Sequence, residues 1–302
     1  TNLGSVDLRG AGAVTLQNVD TNDGAIDVTA AGQITATDVE SVTDADANDI
    51  TLTSTSAGIE AGLVNAGSAG DVTLDAQGGA ITDASGIVTA DDLKVGASGG
   101  IGTSGTALTT AAVQLDAHND TSGGIYVANS GALELADLTW AGDSLAVSNV
   151  GGGVIEASSP LTVSSAVSQG SDFSLVAGDS TSTTTSDDLT IGADVTHTGG
   201  GTITLQAGDD IIHNSGAITS SGGVVDFVAD HDGANGDGFR GGITQNGGSL
   251  TTGTVDFSAE EAVSYTAGTN NVGTLSAKVG SGDWWGAVSR LNTRRVVHCN
   301  IK

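Results

Sequence analysis

The residues best suited to chemistry lie in the stretch Asp230-His231-Asp232-Gly233-Ala234-Asn235-Gly236-Asp237-Gly238-Phe239. Asp230, Asp232, Asn235 and Asp237 supply hard oxygen ligands among flexible glycines, the donor set that Ca²⁺ takes, and calcium is the metal expected there. The loop is not an EF-hand, because its sixth position is Asn235 rather than glycine and its twelfth is Gly241 rather than glutamate. Asp44, Asp46, Asn48 and Asp49 form a weaker group of the same kind. For both groups the competing reading is a solvated acidic turn, since Asp, Asn and Gly also close strands.

Signals for catalysis are poorer. Gly96-Ala97-Ser98-Gly99-Gly100 has the form of a nucleophile elbow, and Gly100-Ile101-Gly102-Thr103-Ser104-Gly105 that of a dinucleotide fingerprint. Neither leads into the helix its mechanism requires, and both arise freely in a chain with 47 glycines. His118, His197, His213, His231 and His298 lack metal-ligand spacing and read as surface residues. Up to residue 282 the only bases are Arg9, Lys94, Arg240 and Lys278, too few to build a cleft for an acidic polysaccharide. The chain is therefore expected not to be an enzyme. A carboxylate pair acting on neutral glycans is the alternative.

Composition narrows what could position such groups. The net charge is −28, which repels nucleic acid. Apolar runs are only a few residues long, far short of the ~20 that span a bilayer. A single cysteine, Cys299, rules out a disulfide framework. There is no methionine, so Thr1 is expected to lie inside a longer gene product. Gly and β-branched residues disfavour helix throughout.

Short apolar-x-apolar triplets recur along the chain, among them Val6-Asp7-Leu8, Ile26-Asp27-Val28, Ile50-Thr51-Leu52, Val72-Thr73-Leu74, Leu93-Lys94-Val95 and Val113-Gln114-Leu115. Their starts lie 20 apart from Val6 to Ile26 and from Val113 to Leu133, and each period divides as 12 then 8 from Val113 to Ile125 to Leu133. Alternation puts the outer residues of each triplet on one face. A period near 20 with several strands predicts an all-β, right-handed parallel β-helix, a β-solenoid of ~20-residue coils. Such a stack would hold roughly fourteen coils at about 4.8 Å each. Two intervals, Phe173 to Ile203 and Val225 to Val255, are 30 residues long, and the excess is assigned to insertions at 178–187 and 230–239. Loops leaving a regular scaffold are where function is expected.

Residues 1–282 read as the repeat region. Residues 283–302 form a non-repeat tail, either a cap bearing Trp284 and Trp285 or a misread terminus. The tail carries four bases and one acid, against four bases and 35 acids before it.

The stretch Gly200-Gly201-Thr202-Ile203-Thr204-Leu205-Gln206-Ala207-Gly208-Asp209-Asp210-Ile211, its continuation from Gly216-Ala217-Ile218 to Val225-Asp226-Phe227, and Asp71-Val72-Thr73-Leu74-Asp75-Ala76-Gln77-Gly78-Gly79-Ala80-Ile81 resemble the repeats of filamentous haemagglutinin-like adhesins and related giant bacterial extracellular proteins. The resemblance implies a secreted, cell-surface stalk passed out through an outer-membrane partner. It also implies attachment to host or surface glycans or proteins, or to neighbouring cells. A glycan-binding or glycoside-cleaving β-helix is the runner-up.

Overall fold

The computed structural model describes residues 4–179, 187–230 and 240–279, together with the backbone of the strand Arg295–Ile301. Among the described residues all regular structure is β-strand and every paired strand runs parallel, in a β-solenoid of about 12 turns. Among the described residues no helix is long and apolar enough to cross a membrane. Contacts divide the chain into two units, Thr1–Ile155 and Glu156–Lys302.

In the first unit each coil contributes strands to three faces. On one face, Val6–Gly10, Ile26–Ala30, Ile50–Ser54 and Val72–Ala76 stack in register, followed by the end of Val88–Ala97, the end of Leu108–Asn119, and Leu145–Asn149. Two apolar ladders run up its inner side: Ile26, Ile50, Val72, Leu93 and Leu115, and beside it Val28, Leu52, Leu74, Val95, Ala117 and Val147. All eleven are fully buried. A second face stacks Val14, Ile34, Ile59 and Ile81, continued by the bridges Ile81 to Ile101 to Ile125. A third stacks Val39, Val64, Val88 and Thr110.

The alternation of Ile, Val and Leu with Thr, Asp and Ser sends the branched residues into the lumen, where each side chain contributes roughly 1.5–3 kcal/mol. One coil alone would leave that surface wet, so stability comes from neighbours. At the lumen corners, polar side chains meet the backbone that turns away. Asn129 accepts from the Thr110 hydroxyl (2.8 Å) and the Ala112 N–H (2.8 Å), and donates to the Ala112 carbonyl (3.1 Å).

The second unit repeats the plan. Leu189, Ile211, Ile243 and Val263 form one inner ladder; Phe173, Ile203, Val225, Val255 and Leu275 form another. The 30-residue intervals from Phe173 to Ile203 and from Val225 to Val255 are each one coil, as the spacing predicts. Of the excess, residues 180–186 and 231–239 lie outside the described residues.

The lumen here is partly aromatic. Phe227 stacks on Phe257 at 5.1 Å, and both contact the ring of Tyr265. His213 joins them: its Nε2 faces the Gly216 carbonyl (3.2 Å) and its Nδ1 the Tyr265 hydroxyl (2.7 Å). A carbonyl only accepts, so Nε2 carries the proton and Tyr265 donates to Nδ1. Burial keeps this imidazole neutral by lowering its pKa, and raises that of the Tyr265 phenol.

Beyond the repeat, the backbone of Arg295–Ile301 pairs in parallel with Asn270–Val279.

Three sequence expectations need correction. The turns number about 12 rather than fourteen, because insertions absorb residues that a uniform period assigns to coils. Val113 is 52% exposed, so of its triplet only Leu115 points inward. His118, His197 and His213 are buried, not on the surface. His231 lies outside the described residues, as does the side chain of His298.

Candidate functional site

Strand alternation fixes which residues of the first face point away from the lumen. Arg9, Thr29, Thr53, Asp75, Gly96, His118 and Ser148 occupy equivalent outward positions in successive coils; Asp7, Asp27, Thr51, Thr73, Lys94 and Asp116 occupy another outward column beside them. On a bare sheet these side chains would be in water. Asp116 and His118 are not, with 0% and 5% of their surface exposed.

The cause is a third insertion. Earlier coils of this face repeat after 20 to 24 residues, whereas Ala117 stacks on Val147, 30 residues later. The excess lies between Leu133–Leu135 and Leu145–Asn149 and folds back across the outer face. It is tied down by Asp116, whose Oδ2 accepts from the Leu138 N–H (2.9 Å). The other oxygen of Asp116 meets His118 Nε2 at 2.5 Å, and His118 Nδ1 lies 3.7 Å from an oxygen of Asp143 on the same loop. Burial pushes the His118 pKa down. The hydrogen bond and charge of Asp116, then the charges of Asp143 and Asp120, more than offset this, so the net shift is upward. A shift in that direction favours the protonated form of the imidazole.

Trp140 completes the arrangement. Its ring meets that of His118 edge to face, 5.9 Å between centroids and 70° between planes. The Cη2 edge of the indole points at Gly96, where an added Cβ would stand 2.2 Å from Cη2 and 3.0 and 3.2 Å from its two ring neighbours. Glycine in that coil leaves room for the edge of the ring to reach the sheet. Between loop and face is a recess of about 450 Å³, bounded by Asp75, Gln77, Ser98, Asp120, Thr121 and Trp140. Gln77 donates its amide to Asp75 (2.7 Å). Oδ2 of Asp116 holds the loop at Leu138 while its Oδ1 is taken up by His118 Nε2, so the buried pair fixes the segment that carries Trp140. The recess around it offers an aromatic ring, hydroxyls and carboxylates for binding.

Of the expected calcium ligands, Asp230 alone lies within the described residues. It is buried, at a left-handed φ of 56°, with its N–H on the Asp209 carbonyl (3.3 Å). Asp232, Asn235 and Asp237 lie outside the described residues. In the weaker group the side chains cap turns. Asp44 accepts from the Ser68 hydroxyl (2.7 Å) and the Ala69 N–H (2.8 Å), and these bonds lower its pKa. Asn48 is buried and donates to Asp23 and to the Thr43 carbonyl.

Ser98, from the elbow-like string, borders the recess, and the string that follows is a turn with left-handed Gly100 and Gly102. Sequence reasoning missed two groupings. One is the Trp140 recess, whose signal was the lone tryptophan within residues 1–282. The other is Asp20, Asp38 and Glu40, whose oxygens lie within 4.8 Å of one another. Asn18 donates to Asp38 and Asn65 to Glu40, which relieves that repulsion.

Fold and site together define a parallel β-solenoid scaffold with an acidic, aromatic recess built by a loop on one face. No protein-family model, curated protein or solved structure matches the chain.

Proposed function

We propose that this chain is a non-catalytic stalk segment of a secreted bacterial surface protein and that it serves attachment, to a host, to a surface or to neighbouring cells. The observation that carries the reading is the division of labour between coil and loop. Apolar ladders stabilise the coils without help from the outer face, while the 30-residue coil from Ala117 to Val147 uses its extra length to set Trp140 over an acidic recess. The Asp116–His118 pair is buried and tied to the loop backbone, which supports a structural role for it. The resemblance of the repeat phrases to haemagglutinin-like adhesins supports the surface location and an outer-membrane export partner. Calcium at Asp230, Asp232, Asn235 and Asp237 belongs to the same reading. It requires that a chelator lower the melting temperature, and an unchanged melt removes it.

Beads coated with the chain test the attachment reading. They should be retained on cells or matrix in a saturable way while releasing no reducing sugar from polysaccharides. Absence of retention would overturn attachment, and sugar release would overturn the non-catalytic assignment. A glycan-active reading is favoured by one observation, the indole lying beside Asp75, Asp120 and Ser98, which resembles a sugar-stacking platform. The same sugar-release assay decides it.

A further inference from the structure

We propose that the Trp140 recess is a docking site for a basic peptide segment of a partner protein, holding a lysine or arginine side chain between the indole and the carboxylates of Asp75 and Asp120. This gives a ligand class to the site on which the attachment reading rests.

Charge is the first argument. Asp75 and Asp120 line the recess, and neither lysine nor arginine does. The imidazole of His118, which also borders the recess, is held against Asp116 at 2.5 Å with Asp143 at 3.7 Å on its far side, so two carboxylates offset the charge of its protonated form. Lys94, in register with Asp116, is paired with Asp71 at 3.2 Å. The local field is therefore negative and attracts a cation.

Hydrogen bonding is the second. The Gln77 amide is a neutral donor to Asp75, and among the residues lining the recess no lysine or arginine meets Asp75 or Asp120. An ammonium or guanidinium brings donors and the compensating charge together, which a neutral sugar hydroxyl does not. The third argument is the ring itself. An indole face is the best aromatic partner for a cation, and Trp140 is half-exposed at the rim, its Cη2 edge set toward Gly96 and its loop tied to Asp116 through the Leu138 N–H. An anionic ligand would meet repulsion from the same groups.

The test uses the full chain carrying Trp284→Phe and Trp285→Phe, which leaves Trp140 as its sole tryptophan. Hexalysine is titrated while the fluorescence is followed. Fully acetylated hexalysine and the neutral N-acetylglucosamine hexamer serve as comparison ligands. Saturable quenching by hexalysine alone is expected.

Isothermal titration then compares Trp140→Ala, which changes no charge, and Asp120→Asn, on an exposed side chain. Each should weaken hexalysine binding roughly tenfold. The pair Asp226→Asn and Asp256→Asn, which removes two acids far along the sequence in the second unit, should leave it unchanged. Undiminished binding by Trp140→Ala with an intact β-type circular dichroism spectrum would overturn the proposal, since attraction would then be to acidity in general. Equal or tighter binding of the neutral hexamer would also overturn it. If hexalysine fails while coated beads still attach, this inference falls and the attachment reading stands.

Discussion

Replacing Gly96 with alanine perturbs the recess while sparing the coils. The added Cβ would lie 2.2 Å from Cη2, 3.0 Å from Cζ3 and 3.2 Å from Cζ2 of Trp140. Carbon atoms rest comfortably about 3.5–4.0 Å apart, so the indole has to withdraw by about 1.5 Å. That movement breaks its edge contact with His118 and opens the rim. The lumen is untouched, because position 96 points outward between the inward residues Val95 and Ala97. Gly96 does not adopt a positive φ, so alanine fits the backbone and gains about 0.4–1 kcal/mol from a less flexible unfolded chain, which offsets the weakened packing of the ring. Net stability in urea should change by less than about 1 kcal/mol. In the background where Trp140 is the only tryptophan, emission should shift to the red and hexalysine binding should weaken. Unchanged emission together with unchanged binding would refute the placement of the indole edge against Gly96.

The other expectations concern the buried pair and the two lumens. His118 has a pKa raised above its ordinary 6.5, so the stabilisation it contributes is complete below that value and is lost as pH rises through the raised one. The groups facing it are Asp116, Asp143 and Asp120, with Trp140 over the ring. Urea titrations at a series of pH values rising from about 6 should show the loss, and Asp116→Asn should shrink it. Tyr265→Phe takes away the donor to His213 Nδ1 and should cost about 1–3 kcal/mol, with a nitrogen chemical-shift change at that atom marking the lost bond. Leu74→Ala, at a fully buried rung, should cost about 2–5 kcal/mol in the same unfolding assay, and a cost below that of a surface substitution would argue against the ladder.

The architecture was legible because a β-solenoid writes its period into sequence. Ile26, Ile50, Val72 and Leu93 stack on one another at intervals near the predicted coil length, with Thr or Asp between the inward residues. Both 30-residue intervals in the second unit were readable too, since Phe173 with Ile203 and Val225 with Val255 keep the same local phrase on either side. The third insertion was hidden by a coincidence. Ile125 and Leu145 lie 20 residues apart and so mimic a coil, but Ile125 bridges to Ile101 while Leu145–Asn149 stacks on Leu108–Asn119. Parity misled in the same place. Asp116 and His118 sit at outward positions, which a periodic reading sends to solvent, and only a chain segment crossing the face buries them. Burial by a distant loop leaves no mark on the local alternation, and one tryptophan was the only hint.

Excising that loop tests the central claim, that a self-sufficient solenoid carries a separable binding element, more directly than any point substitution. Joining Ala136 to Ser144 removes residues 137–143 and shortens the coil from Ala117 to Val147 from 30 to 23 residues, within the range of the other coils of that face. The excised chain should keep its β-type circular dichroism spectrum and a cooperative melt, while coated beads lose retention and hexalysine binding falls to that of Trp140→Ala. Full retention by the excised chain, or collapse of the fold without the loop, would contradict the account.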